Sequence, residues 1–181
     1  MDSVLELWRE AKKEISLTVN GTSMEPFLKS GDVVTIYLTQ PEDLKRGDII
    51  AFRENGQVII HRLVKKQWNG HLWRYCQKGD NLAGWKWIPE GSIIGKVVCV
   101  KHSHRTAGMQ DVPWRWLNAL AGLWGTTWVI AVEWMQRGKR GLFGDRAVPL
   151  ISKLRVMLFK PIHGIGIVPL HCISRVFFRG E

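Results

Sequence analysis

The sequence predicts a mainly β fold: a compact β domain with a short helix before it and a helical extension after it. Short runs rich in Val and Ile recur between Gly, Pro, Asn and Asp clusters over roughly the first hundred residues, the pattern of strands joined by tight turns. No stretch between these runs is long enough for a crossover helix, which argues against a parallel α/β sheet. Past His102 the composition changes, and apolar residues begin to recur at helical spacing.

The first residues read as an amphipathic helix. Ser3 and Glu6 form a capping-box pair, and Val4, Trp8, Ala11 and Ile15 fall on one face. From Ile15 the period shortens to two, with Ile15, Leu17 and Val19 on one side of a strand that runs into Gly21-Thr22-Ser23-Met24-Glu25-Pro26. Further strands are expected at residues 32–38, 48–53, 57–65, 72–78 and 92–101. Residues 102–108 are polar and read as a linker, and Pro113 opens a helix. There Leu117, Leu120, Ala121, Trp124, Trp128 and Ala131 fall on one face, opposite Arg115, Asn118, Gly122, Thr126 and Glu133. A second helix is expected over residues 150–159, with Leu150, Ile151, Leu154, Met157 and Leu158 set against Lys153, Arg155 and Lys160. The chain therefore divides into a domain at 1–105 and a basic, Trp-rich helical tail at 106–181.

The formal net charge is +10, distributed unevenly. Residues 1–113 carry 16 basic and 13 acidic side chains, whereas residues 114–181 carry 10 and 3. A basic excess suits nucleic acid or an anionic lipid surface, and apolar residues interleaved with the tail's charges favour lipid. Membrane contact through the tail is expected, and no nucleic-acid partner, since no helix-turn-helix or RNA-binding signature is present. The pattern alone suits equally a pair of helices that cover the β domain. The uncharged run from Trp116 to Val132 falls short of the roughly 20 residues of a membrane span. Charges at Glu6, Arg9, Glu10, Lys12, Lys13 and Glu14 exclude a signal-peptide reading of the first residues. Membrane association is the expected location, or the cytoplasm if the tail does not anchor. Cys76, Cys99 and Cys172 are widely spaced and suggest neither a disulfide framework nor a metal pattern, so buried free thiols are expected. No cofactor or metal is expected.

The chemistry-bearing residues stand beside turns, in order: Ser23, His61 and Asp80. A serine hydroxyl is a weak nucleophile without a base in hydrogen-bond reach. His61, in the apolar run Val58-Ile59-Ile60-His61-Arg62-Leu63-Val64, is the candidate base, because an imidazole titrates near neutrality without help. Asp80, in Lys78-Gly79-Asp80-Asn81, is the candidate acid that holds the imidazole's tautomer, although a turn aspartate looks the same in sequence. Asp32 and Asp48 each follow a glycine and read as turn residues. Glu25-Pro26 stiffens the loop just past the serine, so the Ser23 N–H can keep a fixed direction toward a developing oxyanion.

Taken together, Ser23-Met24-Glu25-Pro26, Gly31-Asp32, Gly47-Asp48, His61-Arg62, Gly79-Asp80-Asn81 and Ile94-Gly95-Lys96-Val97 resemble the type I signal peptidases and the related S24/S26 serine peptidases. The resemblance covers about residues 15–100, and histidine after Ser-Met-Glu-Pro is similar to the archaeal and endoplasmic-reticulum-like branch. It implies a signal-peptidase-like, repressor-protease-like β domain with Ser23 as nucleophile, His61 as general base and Asp80 as supporting acid. It also implies cleavage of a signal or leader peptide from a precursor protein, after small residues, through an acyl-enzyme. The chain departs from the family pattern in three places. Gly21 stands where many members carry a serine, no hydrophobic anchor precedes Ser23, and no second aspartate occurs between Asn81 and Pro89. Two other readings follow from the same residues: a self-cleaving repressor-like peptidase that uses Lys65 as base, and a catalytically silent protein that binds membrane or nucleic acid.

Overall fold

A computed structural model of the protein describes residues 13–103, 105–109 and 111–143. The helices expected near the N-terminus and over residues 150–159, together with Cys172, lie outside the described residues. Among the described residues eight antiparallel strands form the body: β1 (Glu14–Thr18), β2 (Val33–Tyr37), β3 (Ile49–Glu54), β4 (Gln57–Trp68), β5 (Trp73–Lys78), β6 (Lys86–Pro89), β7 (Ile93–His102) and β8 (Arg105–Gly108). They form one sheet in the order β1-β2-β7-β3-β4-β5-β6, with β8 paired to β7. Helix α1 (Val112–Phe143) follows.

The mainly β fold is the one the turn-punctuated pattern predicts. Two strands were not expected. The supposed linker contains β8, whose Arg105 to Gly108 pair with His102 to Cys99 of β7, and β6 pairs with β5 in a stretch where no strand is expected from sequence. Both are four residues long, too short for alternation to register in sequence.

Strand β3 explains how a single sheet serves two cores. Its residues alternate, with Ile49 and Ala51 in a cluster that includes Met24, Phe27 and Leu28 of the serine loop, and Ile50 and Phe52 in another with Leu63, Tyr75 and Ile88. Strand β4 changes face part-way. Leu63 pairs with Gln77 but Lys65 with Cys76, so Val64 is the extra residue of a β-bulge. Val64 itself packs with Cys76 and Val129 of the helix.

Helix α1 lies against β4. Trp114, Leu117 and Ala121 complete the first core. Gly122 meets the Gly47 turn so closely that a Cβ there would stand 2.6 Å from Gly47 Cα. The Thr126 hydroxyl lies 2.6 Å from the Val64 carbonyl oxygen, and the Trp128 indole N–H donates to the Ala83 carbonyl at 3.1 Å. The single apolar face expected for this helix is therefore rotated and doubled. Gly122 and Thr126, placed on the polar side by pattern, face the sheet, while Leu120 is exposed along with Val112, Trp116, Leu123, Ile130 and Trp134. Among the described residues no helix is long and apolar enough to cross a membrane.

Candidate active site

Two turns converge at the Ser23 loop. The loop between β1 and β2 is closed at its base by Val19 and the Gly31-Asp32 pair, through Val19 N–H to the Asp32 carbonyl at 2.8 Å and Gly31 N–H to the Val19 carbonyl at 2.9 Å. Its Glu25–Pro26 peptide is cis. The Gly79-Asp80-Asn81 turn packs on it. Asn81 N–H donates to the Ser23 carbonyl at 2.9 Å, and the Asn81 amide donates to the Thr22 carbonyl at 3.1 Å. Gly79 has to be glycine here, since a Cβ would sit 2.7 Å from the Ser23 carbonyl oxygen. With its carbonyl thus engaged, Ser23 is fixed by backbone contacts from a second element.

His61 extends from β4 to meet it. Nε2 stands 3.1 Å from Ser23 Oγ, and Nδ1 stands 2.5 Å from the Gln77 side-chain oxygen. The imidazole is half-buried, with Phe52 as a ring neighbour at 6.0 Å. Burial pushes its pKa below the ordinary 6.5, against the Gln77 hydrogen bond and the charges of Asp80 and Glu54, which raise it; Lys78 acts with burial. An oxygen at Nδ1 calls for the proton on that nitrogen, so the lone pair of Nε2 faces the hydroxyl, the arrangement in which histidine accepts a serine proton.

The structure thus brings Ser23 and His61 together, and it places Asp80 differently from the sequence expectation. Both Asp80 carboxylate oxygens lie on Arg62, at 2.8 Å from Nε and 2.7 Å from Nη2, and Gln77 occupies the position at Nδ1 that was assigned to the aspartate. The cause is strand alternation. His61 and Arg62 are consecutive in β4 and point to opposite faces. Arg62 is 1 % exposed, and its Nη1 also donates to the Gly47 carbonyl and to the Asn118 side-chain oxygen, both at 2.7 Å, while its guanidinium lies 4.8 Å from the Phe27 ring centroid. The bulge after Leu63 likewise removes Lys65 from the serine: it lies 3.9 Å from Glu133 and against Trp87.

Asp32 and Asp48 are turn residues as expected. Each accepts the backbone N–H three positions earlier, from Lys29 and Lys45, at 2.8 Å. Cys76 is buried and its thiol is pushed up to about 12, so it is an inert core residue. Among the described residues no cluster has the ligands for a metal ion. A cleft of about 600 Å³ between the Gly47 turn and the start of α1 is lined by Lys45, Arg46, Lys96 and Arg115, away from Ser23 and His61.

Sequence reasoning missed Gln77 and the role of Arg62. Arg62 was visible as a charge inside an apolar run, which is a signal for a buried ion pair. Gln77 carried a weaker one, a polar residue on the inward side of β5.

A serine hydroxyl beside a half-buried imidazole, carried by antiparallel strands and a clamped turn, is an arrangement in which the hydroxyl can be activated as a nucleophile. Residues 2–73 match the Peptidase S24-like family. The signal peptidase complex catalytic subunit SEC11C of Homo sapiens, Mus musculus and Canis lupus familiaris is 24% identical over 115 residues, covering 53% of this chain and 59% of the relative. The chain is thus similar, over part of its length, to the Peptidase S24-like family and to signal peptidase catalytic subunits. It spans about 59% of the length of the curated relatives it matches.

Proposed function

We propose that the protein is a serine endopeptidase of signal-peptidase type, which cleaves a signal or leader peptide from a precursor protein with Ser23 as nucleophile and His61 as general base. The observation that carries this reading is the 3.1 Å contact between Ser23 Oγ and an imidazole whose other nitrogen is already occupied. In the first half-reaction the Ser23 oxygen attacks the scissile carbonyl as its proton passes to His61 Nε2; the imidazolium then protonates the leaving amine, and water resolves the acyl-enzyme by the same path in reverse. The Ser23 N–H is a natural oxyanion donor, because its loop is held by Asn81 and by the Val19 pairing. Asp80 contributes a favourable charge to the imidazolium from a distance and holds its turn in place through Arg62.

Contact with a membrane surface belongs to the same reading. The exposed Val112, Trp116, Leu120, Leu123, Ile130 and Trp134 recur at helical spacings of three, four or seven residues along α1, and the basic cleft opens beside Trp116. The catalytic reading is tested with an internally quenched peptide carrying alanine before the scissile bond. Ser23→Ala and His61→Ala should each lower turnover by ~10⁴-fold or more with the fold retained. Unchanged turnover in either variant sinks the assignment.

A further inference from the structure

We infer that Gln77 is a positioning residue of this site: its side-chain carbonyl holds His61 with the proton on Nδ1 and the Nε2 lone pair turned toward Ser23, a task that falls to a carboxylate in Ser-His-Asp sites. The inference rests on the reading of Ser23 and His61 as nucleophile and base.

The geometry is specific. Gln77 pairs with Leu63 across the β4–β5 ladder, two residues along from His61, so the two side chains share a face and lean toward each other. The contact is 2.5 Å, and Gln77 is 5 % exposed, so water competes little for the imidazole N–H. The Asp80 carboxylate is unavailable for this work, because both of its oxygens are bonded to Arg62. An amide oxygen accepts a hydrogen bond without taking the proton. The Ser23 proton therefore moves to Nε2 and later to the leaving group, while the Nδ1 proton stays in place throughout.

Replacing a carboxylate by an amide has a consequence for pH. A neutral partner fixes the tautomer but gives the imidazolium less stabilisation, so the base stays unprotonated to lower pH. The other charged groups that act on the ring are Asp80 and Glu54, which favour its protonation, and Lys78, which opposes it.

The test combines a long-range ¹H–¹⁵N spectrum of His61 in the full chain with pH profiles of cleavage of the same quenched peptide. Wild type should show a protonated Nδ1 and an imine-like Nε2 above the pKa of the ring. Gln77→Met should lose that tautomer bias and lower kcat about 10- to 100-fold with KM little changed. Gln77→Glu should keep the tautomer and move the acidic limb of the profile upward by about one pH unit or more, a shift that a merely structural side chain would not produce. An imine-like Nδ1 in wild type, or a Gln77→Met protein with unaltered tautomer and kcat, overturns the inference. If Gln77→Met fails to fold, an unmoved acidic limb in Gln77→Glu overturns it instead. A Ser23→Ala protein that still cleaves would defeat the peptidase reading separately, since the spectrum of His61 does not depend on turnover.

Discussion

Replacing Asp80 by asparagine separates two jobs that an aspartate can do beside a catalytic histidine. In this structure the carboxylate forms a two-pronged pair with a guanidinium that is 1 % exposed, and its own side chain is 11 % exposed. The amide of the Asp80→Asn variant would keep the shape and one acceptor but remove the countercharge from a buried cation. Breaking such a pair from one side costs about 3 to 5 kcal/mol, a large part of the ~5 to 15 kcal/mol that holds a domain folded. Arg62 also donates to Gly47 and Asn118, so those contacts remain to solvate it and place the cost toward the lower figure. Asp80→Asn should therefore lower the urea midpoint by an amount equivalent to about 3 kcal/mol at unchanged m-value. Arg62→Met combined with Asp80→Leu should be less destabilised than the two single changes predict when added, with a coupling on the order of 2 kcal/mol. Turnover per folded molecule should fall only modestly, because Gln77 rather than Asp80 occupies Nδ1. An Asp80→Asn protein within ~0.5 kcal/mol of wild type but inactive would refute the reasoning and return the aspartate to His61.

Three further outcomes follow from the same contacts. Burial lowers the His61 pKa, so the acidic limb of kcat/KM should lie below pH 6.5, and a limb at or above that value contradicts the placement of the ring. Lys78 is buried and its amine is brought down from 10.5 to about 8, so the unfolded chain binds the extra proton between those values; stability should rise as pH climbs through that window, and Lys78→Met should abolish the rise and add up to about 3 kcal/mol at pH 7. Urea titrations of both proteins at pH 7 and pH 10 measure it. Gly122→Ala should lower the melting temperature although alanine favours helix by about 1 kcal/mol, because the new Cβ meets Gly47 Cα at 2.6 Å and overpacking costs about 1 to 3 kcal/mol; a rise in melting temperature would show that the helix can give way there.

How much could be read in advance differed by kind of residue. Ser23 and His61 were legible because their neighbours restrict them: a stiff Glu25-Pro26 loop on one side, an apolar strand on the other. The Gly-Asp turns were legible for the same local reason, since glycines 31 and 47 adopt φ of 93° and 97° and each aspartate accepts a hydrogen bond from three residues back. What could not be read was pairing. Whether Asp80 or Gln77 meets His61 depends on which face each occupies across β4 and β5, and a one-residue bulge is enough to reassign every side chain beyond it. The helix face failed for a related reason. Hydrophobicity marks one apolar stripe on α1 but cannot say that glycine and threonine mark the docked side, where closeness of backbones matters more than apolar area.

That docked side bears on the site itself. A continuous run of contacts leads from Asn118 of α1 to Arg62, from Arg62 to Asp80, and from the neighbouring Asn81 to the Ser23 carbonyl. The close approach of Gly47 to Gly122 and Asn118 lets the first of these bonds form, because Gly47 O and Asn118 Oδ1 accept from the same Arg62 nitrogen. One strand carries both halves of the arrangement. Residue 61 presents the base to the serine, and residue 62, turned the other way, ties the serine's supporting turn to the helix. Alternation thus keeps a permanently charged group out of direct contact with the imidazole, where a guanidinium would oppose protonation, while placing it one residue away to brace the turn. A buried cation that costs stability when alone is tolerable here because all four of its hydrogen bonds join elements that the site needs held together.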